Sequence, residues 1–91
     1  MTRYEVLIKA IETYGYDTQL NMAIEEMAEL TKAICKLKRG GDLKQNNNSV
    51  KEEIADVQIM LDQLKIMLSA HTDVSAYDQY KINRLAERLG L

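Results

Sequence analysis

The chain contains no proline, and its four glycines stand at positions 15, 40, 41 and 90. These two residue types are the strongest interrupters of a helix. The long intervals between them are therefore free to run as helices, and 46% of the residues are hydrophobic, enough to give each helix an apolar side. The fold class that follows is all-α, with two long antiparallel helices flanked by shorter N- and C-terminal ones. Its 91 residues favour a single domain over 1–91. A chain this short, alone, buries a comparatively small fraction of its surface.

Thr2 and Glu5 fit a capping box, and Tyr4, Leu7, Ile8, Ile11 and Tyr14 recur at helical spacing before Gly15, predicting a first helix over about 3–14. Asp17 or Thr18 caps the second, about 18–38, along which Leu20, Ala23, Ile24, Met27, Leu30, Ile34 and Leu37 form a stripe. The basic run Lys36, Lys38, Arg39 and then Gly40-Gly41 suit its negative end. Asp42 to Asn48 is polar, Asn-rich and aperiodic, and reads as a mobile connection. Ser49 and Glu52 form a second capping box opening a third helix over about 50–70. Its main stripe is Val50, Ile54, Val57, Leu61, Leu64 and Leu68, with Ala55, Ile59 and Ile66 as a patch on nearly the opposite side. Asp73 or Ser75 caps a last helix over about 75–89, stopped by Gly90.

Two short stretches carry the chemistry, Glu26-x-x-Glu29 on the second predicted helix and Glu53-x-x-Asp56 on the third. Residues three apart share a helix face, so each stretch aims two carboxylates the same way. At steps of about 100°, Glu53 falls at roughly 300° from Val50, between Met60 and Leu64; Glu26 falls at roughly 240° from Leu20, again among apolar neighbours. An unpaired carboxylate placed there costs several kcal/mol, a sizeable part of a small domain's stability. A hard divalent cation with oxygen ligands removes that penalty. Glu12, Glu25 and Glu52 are expected on a solvated face, where Glu25 could also support the ligands from behind. Lys32 lies three residues beyond Glu29, close enough for a surface ion pair, but such pairs stabilise little.

All-oxygen ligation favours Mg²⁺ or Mn²⁺, whereas zinc lacks its Cys/His set. Di-iron bundles use Glu-x-x-His, and the single histidine, His71, has no Glu three residues before it. His71 is expected at the end of the third helix, where a cation suits the dipole, and Cys35 as a small core residue. A net charge of −2 gives no general attraction for nucleic acid or an anionic membrane. No apolar stretch approaches the roughly 18 residues needed to span a bilayer. One cysteine and an N-terminus without an apolar run point to the cytoplasm.

At these residues the sequence resembles the MazG-like, all-α nucleoside triphosphate pyrophosphohydrolases. Their pattern of Glu-x-x-Glu, a spacer, then Glu-x-x-Asp is met by Glu26, Glu29, Glu53 and Asp56, with 23 residues between the halves. The similarity extends over Gln19 to Leu64. It implies Mg²⁺-dependent hydrolysis of an NTP or dNTP to the monophosphate and pyrophosphate, often as housecleaning, at a site built within a homodimer or homotetramer. The four acids would hold the metal, and Lys81 and Arg84 of the last helix match residues that help hold the phosphates; both equally suit a solvated helix face. Larger relatives stack the base near a Trp, and none exists here, leaving Tyr14, Tyr16, Tyr77 or Tyr80 for that role. The alternative is a non-catalytic helical interaction module, or a degenerate family member, whose apolar stripes serve partner binding. The second apolar side of the third helix is expected to be covered by another copy or by the first helix. The 40–48 connection either becomes ordered on binding phosphate or is an inert linker.

Overall fold

The computed structural model describes residues 1–91, folded as four helices: α1 (Arg3–Tyr14), α2 (Tyr16–Arg39), α3 (Leu43–Met67) and α4 (His71–Arg88). The all-α class and the order of the elements agree with the sequence. In α1 the Thr2 hydroxyl accepts from the Glu5 amide at 3.1 Å, making the expected N-cap bond. Helix α2 starts two residues earlier than expected. Neither Asp17 nor Thr18 is its cap: Gly15, at φ 92°, turns the chain directly from α1 into α2, and Asp17 lies in the first turn.

The larger correction is at 42–48. This stretch is not a mobile connection, and Ser49 is not a helix cap. Asp42 caps α3, accepting from the Gln45 amide at 3.1 Å, and the asparagines form the first turns. Asn46 Nδ2 donates to the Gly40 carbonyl at 2.9 Å and reaches the Lys36 carbonyl at 3.5 Å, satisfying acceptors that the end of α2 leaves free. Weak helix propensity is thus offset by side chains that tie the new helix to the preceding one. The connection shrinks to Gly40-Gly41-Asp42. Helix α3 ends at Met67 rather than about residue 70, and Ser69 takes a positive φ of 51°. Helix α4 begins at His71, so His71 opens a helix instead of closing one, and Asp73 and Ser75 lie inside it.

Helices α2 and α3 form an antiparallel hairpin. Gln19 Nε2 donates to Gln63 Oε1 at 2.7 Å near one end, and Asn46 reaches Lys36 at the other. Both pairs have the same sum of residue numbers, which fixes one register for the seam. Helix α1 packs across both long helices, held to α3 by Arg3 Nη2 on Asp62 Oδ2 at 2.8 Å; α4 touches α3 alone.

The core is thin. Only 7 of 91 residues are buried: Leu7, Ala23, Ala33, Val57 and Met60, with Gln19 and Gln63. Two helices in a hairpin each bury one arc, and Ala23 and Ala33 let the backbones approach. The expected stripes are consequently split. Ile24, Met27 and Ile34 of α2, Ile54 and Leu61 of α3 and Leu68 just past its end are exposed, as are Ala55, Ile59 and Cys35, which is therefore not a core residue. No residue of α4 is buried. The radius of gyration, 16.1 Å, exceeds the roughly 12 Å of a compact domain of this length, because α4 extends from the hairpin. No helix is long and apolar enough to cross a membrane.

Candidate metal centre

The register set by the two polar clamps places Glu26 opposite Asp56 and Glu29 opposite Glu53. The two acid stretches therefore meet across the seam, midway along the hairpin. Carboxylate oxygens of Glu26, Glu53 and Asp56 lie within 4.8 Å of one another, close enough for one cation to bridge all three. Glu26 and Glu53 are half-buried and Asp56 is exposed, so the cluster opens to solvent on one side. Glu29 is exposed beside it. With Glu53, Lys32, Ala33, Lys36 and Ser49 it lines an adjoining cleft of about 160 Å³.

Like charges this close oppose one another. Desolvation first, then the neighbouring carboxylates Asp56, Glu53, Glu29 and Glu25, push the Glu26 carboxyl above its ordinary 4.5. Glu53 is raised in the same way by desolvation, Asp56, Glu29 and Glu52. Glu53 Oε2 is also shut off from solvent with no hydrogen-bond partner. Buried polar atoms are ordinarily satisfied, so an orphaned carboxylate oxygen beside two other carboxylates is a site fitted for a cation. The donor set is entirely carboxylate. It suits a hard ion such as Mg²⁺ or Mn²⁺ and offers zinc neither Cys nor His.

No protein family, curated protein or solved structure matches the chain.

The remaining candidates fall elsewhere. Lys81 and Arg84 line a separate hollow on α4 with Leu85 and Arg88, and Arg84 stands over the Tyr80 ring at 5.8 Å. Helix α4 does not pack on α2, and neither cation lines the cleft beside the acids or acts on the Glu26 and Glu53 carboxyls. Tyr14 lines a hollow with Thr18, Gln19 and Met22, the last of these one turn before Glu26; Tyr16, Tyr77 and Tyr80 are exposed. Glu12, Glu25 and Glu52 are exposed too. Lys32 makes no ion pair with Glu29 within 4.0 Å. Two features escape a reading of the sequence: the buried Gln19–Gln63 bond and the place of Lys36 and Ser49 in the acid cleft. Seven-residue spacing is the available signal, since Gln19, Glu26 and Ala33 share a face of α2, and Ser49, Asp56 and Gln63 a face of α3.

Proposed function

We propose that the chain is a Mg²⁺-dependent nucleoside triphosphate pyrophosphohydrolase of the MazG-like kind, cleaving an NTP or dNTP to the monophosphate and pyrophosphate in a cytoplasmic housecleaning role. The observation that carries the reading is the meeting of Glu26, Glu53 and Asp56 around one small volume, with Glu53 Oε2 buried and unpartnered. Glu29 completes the set at the edge of the adjoining cleft. A bound Mg²⁺ would supply charge neutralisation for the phosphates and acidify a water for in-line attack. Glu26, Glu53 and Asp56 would hold the ion, and Glu29, exposed at the rim of the cleft, would serve as a proton acceptor there. Tyr14, in its hollow beside Met22, is the tyrosine best placed to take the base.

The assembly is a homodimer or homotetramer. Its support is the pair of uncovered apolar faces on the hairpin and the unburied α4, which together leave much apolar surface in water for so small a chain. Lys81 and Arg84, remote from the acids of their own chain, would reach those of a second copy.

The exposed stripes favour a second reading, a non-catalytic oligomerising module. Such a module has no use for an orphaned carboxylate oxygen in a cluster of acids. Pyrophosphate release from a panel of NTPs and dNTPs with Mg²⁺, run beside Mn²⁺ titration calorimetry, separates the two. Inactivity across the panel, together with equal Mn²⁺ binding by wild type and Glu53→Gln, would leave the module.

A further inference from the structure

The cleft beside the acids is lined by both signs of charge. Glu29 and Glu53 close one side, while Lys32, Lys36 and Ser49 continue toward the α2–α3 connection. On α2, Glu29, Lys32 and Lys36 follow at spacings of three and four; on α3, Ser49, Glu53 and Asp56 follow at four and three. Each triplet therefore occupies one helix face. The antiparallel register lays the two faces alongside each other, so a polar track leads from the acid cluster to the lysines. Ala33, facing Ser49 across the seam, has a side chain too small to fill the space between the two sets of charge.

The charges in this cleft do not pair. Neither lysine ammonium lies within 4.0 Å of a carboxylate oxygen, and both ion pairs of the chain are made by Asp62 at the other end of α3. If the lysines served to neutralise the acids, lysine stems of this length could close on Glu29 or Glu53 with a change of rotamer. Left apart, the two sets match a ligand that is itself divided: a cation at the acid end and anionic oxygens at the lysine end. The cleft, about 160 Å³ and open to solvent, gives phosphate groups room to lie between the two sets of charge.

The geometry points to Lys32, Lys36 and Ser49 as the anchor for the diphosphate end of a metal-bound polyphosphate, with the two ammonium groups and the hydroxyl donating to its terminal oxygens. This rests on the metal-centre reading above and deepens it. It directs the nucleoside outward along the other half of the hairpin, toward Glu26 and Met22, and makes the anchor part of the same chain as the acids.

The probe is inorganic pyrophosphate, titrated calorimetrically into full-length protein with and without saturating Mg²⁺, after Mn²⁺ alone has been titrated into each variant. In Lys32→Gln/Lys36→Gln, Mn²⁺ affinity is expected to be unchanged or higher, because nearby positive charge has been removed, while Mg²⁺-dependent pyrophosphate affinity falls at least tenfold. Ser49→Ala lowers it by a smaller factor, and Lys32→Arg/Lys36→Arg restores most of it. Far-UV circular dichroism confirms that each variant is helical. Pyrophosphate binding within twofold of wild type in Lys32→Gln/Lys36→Gln, with Mn²⁺ binding intact, would overturn the anchor and leave the metal centre standing. Absence of Mn²⁺ binding in the wild type would remove both.

Discussion

Replacing Gln63 by Leu keeps the side-chain volume but takes away the only hydrogen-bond partner of Gln19 Nε2. Gln19 is 4% exposed and its Oε1 already lacks a partner, so the variant strands a whole amide in the seam. That desolvation costs about 1–3 kcal/mol, and the lost contact of Gln63 Nε2 with Met60 Sδ at 3.6 Å adds little. For a domain of this size each kcal/mol moves Tm by about 4–8 °C, so a fall on the order of 10 °C is expected. Gln19→Leu takes the partner from Gln63 Oε1 and leaves its Nε2 on Met60 Sδ, so its cost is the smaller of the two. The double variant Gln19→Leu/Gln63→Leu removes both amides and should return to within about 1 kcal/mol of wild type, giving a coupling on the order of 1–3 kcal/mol. Urea unfolding at fixed protomer concentration measures all four corners. Effects of the two singles that simply add, within about 0.5 kcal/mol, would refute the view that this bond is a buried, mutually dependent pair. The double variant has a second expected outcome. Shifting one helix against the other by a residue turns its face by about 100°, so a seam without its polar pin holds Glu26 and Asp56 in opposition less well, and Mn²⁺ affinity should drop although stability is kept.

In the metal-free protein Glu53→Gln is expected to raise Tm, by relieving repulsion and supplying a neutral amide where an ionised oxygen has no partner, while abolishing the stabilisation that Mn²⁺ gives the wild type; thermal melts with and without Mn²⁺ check both halves. The carboxyls of Glu26 and Glu53 are raised in the fold, so their contribution is fully present below their ordinary 4.5 and is lost as pH rises through the folded values. Asp62 is lowered, first by its hydrogen bond from Arg3, so its contribution is present above its ordinary 3.8 and lost as pH falls through the folded value. Acidifying the metal-free protein from about pH 7 toward 4.5 should therefore raise Tm, further acidification below 3.8 should lower it, and Glu26→Gln/Glu53→Gln should flatten the first limb. With saturating Mg²⁺ the first limb should reverse, because protons compete for the ligand oxygens. Light scattering at micromolar concentration should return at least twice the 10.4 kDa chain mass, and a monodisperse monomer would remove Lys81 and Arg84 from the phosphate site.

The all-α class, the first helix and the acid pairs are legible because each depends on local pattern: glycine punctuation, a Thr2 cap, and acids three residues apart among apolar neighbours. The start of the third helix is not, because a polar, asparagine-rich run is a weak guide when one of its side chains bonds backward. Asn46, tied to Gly40 and Lys36, lets a stretch of poor helix formers begin a helix. The exposed stripes mislead for a different reason. Periodicity counts apolar residues along one helix, whereas burial depends on how many neighbours that helix has. Ile54 and Leu61 lie on the same broad arc as Val57, but the helices packed on α3 cover only the Val57 side. The lysine-lined cleft is illegible because it needs the register between α2 and α3, which no single helix encodes.

That register also explains how a repulsive cluster is held together. Glu26, Glu29, Glu53 and Asp56 oppose one another in the middle of the hairpin, and that repulsion adds to desolvation, the larger cause, in raising the Glu26 and Glu53 carboxyls. Bonds that cross the seam lie on either side of it: Gln19 to Gln63 toward one end, and Asn46 to Gly40 and Lys36 at the other. Arg3, bonded to Asp62, adds α1 as a brace on the Gln63 side. The middle is free of such bonds. A hairpin clamped at both ends and charged in the centre keeps its acids close while leaving their oxygens uncommitted, and a divalent ion held at the proposed centre would draw together the stretch of the seam that no bond crosses. Cutting one clamp with Asn46→Ala tests this, since the loss of an exposed bond worth about 1 kcal/mol should lower the stability of the Mn²⁺-bound protein more than that of the metal-free protein, the difference being the Mn²⁺ affinity lost with the clamp. Equal losses in the two states would show that the clamp and the acids act independently.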